Sequence, residues 1–596
     1  MACRLSAMEP HSIGVDGEIG RRFMLAVERN LLQLDVDDFL GPFIERGSAI
    51  GPQGFGQYTG IGKLIDASVH FGLYCRDHTT TGKILAFKNH LVGALLKTQM
   101  PDGYIGCMSV PNRMKVSYDL HEQGYIVMGL ANNARYYHCS VSLEAATKAA
   151  DFLIANWPKE WRTDPSLTLT TLGVPEGFSA LSEATDDPTY RDFACNTGMG
   201  RSTGIPLRAW SIPPGKGSIR AQNHVYRWLE RCLMQLDLYA REPNTQLLNQ
   251  SRILEAYLLH EDALLITGSC SHGECWHTDQ RGDGPCGETC ATAYLIRTMA
   301  NLMQVTGDLT YGDLIERALY NALFAAQSPD GRHLRYFTPL EGRRDYFQED
   351  TYCCPNNFRR IVAEMPSLVY FGWKSGVAIN LYGTSQVRFE LDGHQSVWIQ
   401  QETDYPNSGN VDIRLALSEA ARFPLCFRIP GWCAQASICI NGEQPETVTG
   451  EHAFVIEREW SDGDRVALSM PMACRWIEGR KTYSGRVALM RGPLVFCLSR
   501  ERNRLSADLD LKHITIDMES LSGPFRDQTT RPDGQAFTVR AWSTEQNLSD
   551  CPDLEWVFTE FPDPTGEATY FAPCNPTAAV SDHLIHDRPS PGPVSV

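Results

Sequence analysis

The spacing of apolar residues changes once along this chain, and that change constrains the fold more than any single motif. Up to about residue 370 apolar side chains recur every three or four positions, as on one face of a helix. Leu143, Ala146, Ala150, Leu153 and Trp157 form one such stripe, with Ser142 expected as its N-cap and Pro158 as its stop. Leu295, Met299 and Leu302 run to Gly307, and Leu314, Ala318, Ala322 and Ala325 run to Ser328-Pro329-Asp330-Gly331. Strands do not alternate with these helices and no Gly-rich phosphate loop appears, so a helical barrel or solenoid is expected rather than a Rossmann or TIM-barrel fold. Beyond about residue 375 the period is two. Ile438 and Ile440 lead into Asn441-Gly442, and Val466, Leu468 and Met470 follow Asp462-Gly463, as in antiparallel hairpins. Short runs at Leu425 to Ile429 and Val487 to Met490, broken by Pro430-Gly431 and Gly492-Pro493, point to one or two β-sandwiches.

With 596 residues the chain exceeds what one core supports. The expected division is a helical domain over 1–370, sandwiches over 371–480 and 481–575, and a disordered tail over 576–596 containing Arg588-Pro589-Ser590-Pro591-Gly592-Pro593. A net charge of −17 without basic clusters argues against nucleic acid or an anionic membrane as partner and favours a small neutral or cationic ligand. The first residues have no apolar leader segment, and no stretch is apolar for the roughly 18 residues that a membrane span requires, so a cytoplasmic setting is expected. The 19 cysteines, spread over a long chain, are then mostly reduced thiols, and clustered ones are candidates for metal binding or catalysis.

Two segments stand out. Cys353-Cys354-Pro355-Asn356-Asn357 reads as a helix start with Pro355 in the first position, where a thiolate is favoured. Gly287-Glu288-Thr289-Cys290 sets a carboxylate and a thiol two residues apart where another helix begins. Glu288, Cys290, Cys353 and Cys354 are together four ligands of the kinds Zn2+ takes, whereas thiolates disfavour calcium and magnesium. The same residues also read as a helix cap at Glu288, a core Cys290, and a Cys353-Cys354 pair that is either two buried hydrophobes or a strained vicinal disulfide. Cys270, His272, Cys275, His277 and Cys286 offer a second, local metal reading, at spacings that match no specific zinc pattern. Glu274, beside Trp276 in a Gly-bounded turn, has the surroundings of a general acid or of an ordinary solvated glutamate. His121 and His224 on helical stretches either line a pocket or fill the core.

In order along the chain, Gln99-Met100-Pro101-Asp102-Gly103-Tyr104-Ile105-Gly106, the His121 and His224 segments, His272-Gly273-Glu274, Gly287-Glu288-Thr289-Cys290 and Cys353-Cys354-Pro355-Asn356-Asn357 resemble the β-L-arabinofuranosidase family of glycoside hydrolases, family 127. Asp404-Tyr405-Pro406, Arg428-Ile429-Pro430-Gly431-Trp432 and Arg491-Gly492-Pro493-Leu494-Val495 resemble its sandwich segments. The resemblance implies an (α/α)6 barrel followed by antiparallel β-sandwiches. It implies a zinc ion on Glu288, Cys290, Cys353 and Cys354, with Cys353 as nucleophile and Glu274 as acid/base in a retaining double displacement. His121, His224, His272 and Thr351 would contact the sugar. Thr351 is a departure, because family members often carry histidine two residues before the nucleophile.

Three functions follow from this reading. The first is a zinc-thiolate glycosidase acting on a β-L-arabinofuranoside or related small glycoside. The second is a non-hydrolytic isomerase, lyase or cyclase of a small metabolite on the same scaffold, using Glu274 and the metal. The third is a non-catalytic carbohydrate-binding protein with structural zinc. The sandwiches offer a surface either for a homodimer or for closing the barrel mouth.

Overall fold

The structure is a computed structural model that describes residues 5–47, 58–115, 117–157, 173–198, 207–216, 223–391, 395–449, 452–542, 554–575 and 578–586. The chain divides into two compact units: Phe23–Ser251 with Phe347–Glu364, and Met1–Arg22 with Arg252–Tyr346 and Met365–Val596.

The first unit is helical. Its central helix, Ser117–Tyr137, packs on Ile61–Tyr74, Ser140–Ala155 and Val174–Thr185, and Ile61–Tyr74 also packs on Cys353–Glu364. Glycines permit the closest crossings. A Cβ on Gly62 would lie 2.2 Å from the carbonyl carbon of Tyr125, and one on Gly177 would lie 2.1 Å from the Gly124 oxygen, so any side chain would push these helices apart. Local capping sets the ends: the Asp77 carboxylate accepts from Thr80 N at 2.7 Å to open His78–Leu96. Helix Ser140–Ala155 starts three residues earlier than Ser142 as N-cap predicts, because Cys139 is the N-cap residue. Ser142 lies in the first turn, its hydroxyl bonded to Cys139 Sγ and to Asn133. The expected stop at Pro158 lies outside the described residues.

The second unit joins helices to three sheets. Helix Thr289–Thr306 ends on Gly307 in the left-handed conformation (φ 78°), as its sequence predicts. A five-stranded sheet contains Tyr370–Trp373, Gly376–Ile379, Ala421–Arg428 and Ala453–Trp460, with Leu5–Ala7 paired at its edge. A seven-stranded sheet runs from Glu446–Thr449 through Gln435–Ile440 and Gln395–Thr403 to Ile13–Val15. Phe389 and Phe423 meet between the two sheets at 5.6 Å, forming a sandwich core. The N-terminal strands thus pair with sheets, although their place in the chain is ahead of the helical half. Asn441 and Gly442, both at positive φ, make the expected hairpin turn. A third sheet holds Cys474–Glu478, Val487–Arg491, Leu494–Ser499, Gly534–Trp542 and Leu554–Glu560.

The motifs Asp404-Tyr405-Pro406 and Arg428 to Trp432 meet helix Tyr311–Ala318 within this unit. Arg428 pairs with Asp313 and Glu316, while Tyr405 and Trp432 donate to Glu316 at 2.6 and 3.2 Å. Part of the expected tail is anchored: Asp582 forms a buried ion pair with Arg317 at 3.0 Å, and His583–His586 is helical. The Pro-rich residues 588–593 lie outside the described residues. The class is therefore helical followed by sheet-rich domains, as the change of period requires.

Candidate active site

In the sheet-bearing unit, Glu274 stands at the tip of a two-residue hairpin. His272 and Cys275 exchange backbone hydrogen bonds of 3.0 and 3.1 Å, leaving Gly273 (φ 56°) and Glu274 (φ 67°) to make the turn. Positive φ is easy for glycine and unfavourable for glutamate, so the hairpin holds Glu274 in a conformation its side chain does not favour. Tyr336 donates to Glu274 Oε1 at 2.6 Å. One carboxyl oxygen is thereby oriented, which suits an acid/base that must hand over a proton in a defined direction. No sequence pattern announces Tyr336, since it is 62 residues distant in the chain.

The hairpin continues into the Glu288 segment. Gly287 (φ 68°) turns the chain, Gly287 N bonds to Ser271 O, and Glu288 N bonds to Ser271 Oγ at 2.9 Å. Glu288 is the N-cap residue of Thr289–Thr306 and Cys290 lies in the first turn; both are fully buried. Cys270 and Cys286 are also fully buried, and burial pushes both thiols upward in pKa. His272 Nε2 lies 3.0 Å from Asp283 O and His277 Nδ1 2.9 Å from Asp279 Oδ1, so one nitrogen of each ring supports the loop's own shape. Burial lowers the His277 pKa against the pull of Asp279.

In the helical unit, Cys353 and Cys354 occupy the first turn of Cys353–Glu364. The helix begins two residues before the expected Pro355, which sits in the first turn where its missing N–H costs no hydrogen bond. Cys354 is buried and Cys353 partly exposed, both near the positive end of the helix dipole. Their backbone is pinned. Tyr352 (φ 90°) bonds from N to Thr59 O at 3.0 Å, Asn356 Nδ2 donates to Tyr352 O and Thr59 O, and Arg359 ties Asp350 O, Asn356 and Asn30 together. Thr351, two residues before Cys353, is half-buried.

His121 is placed beside this turn. Its Nε2 lies 3.2 Å from the Tyr58 hydroxyl, and the Tyr58 ring touches that of Tyr352 at 5.8 Å. His224 is the N-cap residue of Val225–Arg241, with its ring 6.1 Å from Tyr226, which in turn lies 6.4 Å from His121. Next to His121, Glu122 accepts from Thr59 N and Gly60 N at 2.9 and 2.8 Å and so caps helix Ile61–Tyr74. Tyr58, Tyr226 and Tyr352 carried no sequence signal, because their roles arise from convergence of distant segments. Glu288 and Cys290 in the sheet-bearing unit, and Cys353 and Cys354 in the helical unit, are donors of the kinds a metal ion takes. Three thiols with one carboxylate suit zinc and not a hard cation.

The model of the β-L-arabinofuranosidase GH127 catalytic domain matches residues 71–367, and that of the GH127 middle domain matches residues 376–472. The gap between them coincides with the change of apolar period. A non-reducing end β-L-arabinofuranosidase from Bifidobacterium longum subsp. longum is 26% identical over 264 residues, covering 40% of this chain and 39% of that protein. The chain thus matches about two fifths of that relative's length. Among solved structures, a GH127 β-L-arabinofuranosidase from Geobacillus stearothermophilus T6 superposes with a TM-score of 0.73 at 21% identity, over 94% of this chain and 100% of the other. A second, a GH127 β-arabinofuranosidase, gives a TM-score of 0.80 at 21% identity, over 97% and 99%. Those likenesses establish the shared fold, and the two domain models, spanning about two thirds of the residues in order, establish kinship: this chain belongs to glycoside hydrolase family 127.

Proposed function

We propose that this chain is a zinc-dependent retaining glycoside hydrolase that removes a β-L-arabinofuranosyl group, or a closely related sugar, from a small glycoside. The observation that carries the reading is the pairing of family membership with a carboxyl group held ready at Glu274 by Tyr336, and a cysteine set in a pinned first helical turn at Cys353. In the first step the Cys353 thiolate attacks the anomeric carbon as the glycosidic C–O bond breaks, and the Glu274 carboxylic acid gives its proton to the departing oxygen. The thioglycosyl group on Cys353 is then displaced by water, whose proton passes to Glu274 while the C–S bond breaks and the thiolate is restored. Two inversions leave the anomeric configuration retained. Glu288, Cys290, Cys353 and Cys354 would hold a zinc ion, which would supply a Lewis acid that keeps thiols deprotonated at neutral pH and lowers the basicity of the sulfur that must leave. His121, His224, His272 and Thr351 are proposed sugar contacts, with Thr351 offering a hydroxyl.

Among the described residues no helix is long and apolar enough to cross a membrane, and the described cysteines form no disulfide with one another. A reducing, cytoplasmic setting accords with both and belongs to this proposal. The decisive experiment combines elemental analysis with hydrolysis of an aryl β-L-arabinofuranoside by the wild type, Cys353→Ala and Glu274→Gln. One zinc per chain, retained configuration and near-complete loss of turnover in both variants are expected. A zinc-loaded wild type that releases no sugar would defeat the hydrolase reading.

A further inference from the structure

Lys63 lies on helix Ile61–Tyr74 with its side chain fully buried. A buried ammonium is costly unless its charge is compensated. Beside the Glu122 and Glu230 carboxylates, which the Lys63 charge acts on, the ammonium meets aromatic faces: Nζ is 4.2 Å from the ring centre of Tyr125, 4.9 Å from Tyr226 and 5.9 Å from Tyr58. Nζ also donates to the Tyr226 hydroxyl at 2.9 Å, which lies 2.7 Å from the Tyr125 hydroxyl. These are three of the rings against which His121 packs, at 5.0 Å from Tyr125, 6.4 Å from Tyr226 and 4.9 Å from Tyr58. One ammonium and one imidazole therefore share three tyrosines, and Tyr58 passes the contact to Tyr352, the neighbour of Cys353.

We propose that Lys63 is a positioning residue for sugar binding: clasped by Tyr58, Tyr125 and Tyr226, it fixes the rings that hold His121 and sets affinity for the substrate without touching it. The inference rests on the proposed reading of His121 as a sugar contact. Cation–π attraction is directional, so the charge orients ring faces as an apolar chain of equal length does not. A solely structural lysine would affect stability, or the amount of active protein, and leave KM alone.

The test compares wild type, Lys63→Met and Lys63→Arg by KM and kcat on the aryl β-L-arabinofuranoside, by zinc content and by the near-ultraviolet circular dichroism of tyrosine. Lys63→Met is expected to raise KM about tenfold, with kcat within about threefold, zinc unchanged and the tyrosine band diminished, and Lys63→Arg to restore both KM and band. Unchanged KM in Lys63→Met, or Lys63→Arg as impaired as Lys63→Met, would overturn the proposal. Should Lys63→Met not fold, Lys63→Gln replaces it, and failure of both to fold assigns Lys63 a structural role and overturns the proposal as well. A wild type inactive on arabinofuranosides would remove the hydrolase reading separately; the tyrosine band then decides alone, and an unchanged band in Lys63→Met overturns the positioning role.

Discussion

Glu230 is fully buried and its Oε1 accepts from Gly173 N at 2.6 Å. Burial, reinforced by the nearby Glu176 carboxylate, pushes its pKa up to about 8. The folded chain therefore retains a proton that the unfolded chain releases above its ordinary carboxyl pKa. With the folded value raised, this group's contribution is fully present below the unfolded pKa and is lost as pH rises toward about 8. Glu230→Gln keeps the acceptor for Gly173 N and removes the titration. Its melting temperature should gain on the wild type as pH is raised from 5 to 8, by roughly 2–4 °C for each kcal/mol recovered. Parallel melting curves for the two proteins across that range would refute the assignment. The same residue shows what a sequence withholds. Nothing in Trp228-Leu229-Glu230-Arg231 distinguishes a surface glutamate from one enclosed beside another carboxylate, because the enclosure is made by residues more than fifty positions away. Glu274 differs, since its glycine-bounded turn and neighbouring aromatic were readable, but its orienting partner Tyr336 was not.

At the scale of elements, periodicity and turn chemistry were legible and end positions less so. Gly307 closes its helix and Asn441-Gly442 turns its hairpin because a left-handed backbone position selects residue type directly. Ser142 and Pro355 misplace their helix starts by three and two residues respectively, since Cys139 is the N-cap residue of the one helix and Cys353 already opens the other. How elements join was legible only as unexplained motifs. Arg428 and Tyr405 draw their meaning from Glu316, a residue that no pattern singled out. Arg428 is fully buried with Asp313 and Glu316, and removing it leaves two carboxylates without their cation in an apolar setting. Arg428→Met should cost about 3–5 kcal/mol in urea unfolding, and Arg428→Met/Glu316→Gln should recover part of that loss. A single variant within about 1 kcal/mol of wild type would mean that the pair adds nothing beyond what apolar packing supplies.

For the molecule as a whole, the change of period pointed to the right fold class before any site was identified. The proposed metal requires more, because Glu288 and Cys290 are separated from Cys353 and Cys354 by more than sixty residues, and only the folded chain can offer all four together. Binding to the folded state alone stabilises it by mass action, about 2.7 kcal/mol at a hundredfold excess over Kd. Stripping zinc with a chelator should therefore abolish hydrolysis and lower the melting temperature by several degrees, roughly 2–4 °C per kcal/mol. Zinc should reverse both effects, whereas magnesium and calcium should reverse neither, because thiolate donors discriminate against hard cations. Cys290→Ser keeps a donor of similar size but replaces thiolate with a weaker ligand, so it should lose the zinc-dependent part of the melting temperature while melting near the stripped wild type. A stripped protein that loses activity but melts unchanged would separate catalysis from folding, and the ion would then have to sit on fewer of these four ligands than proposed.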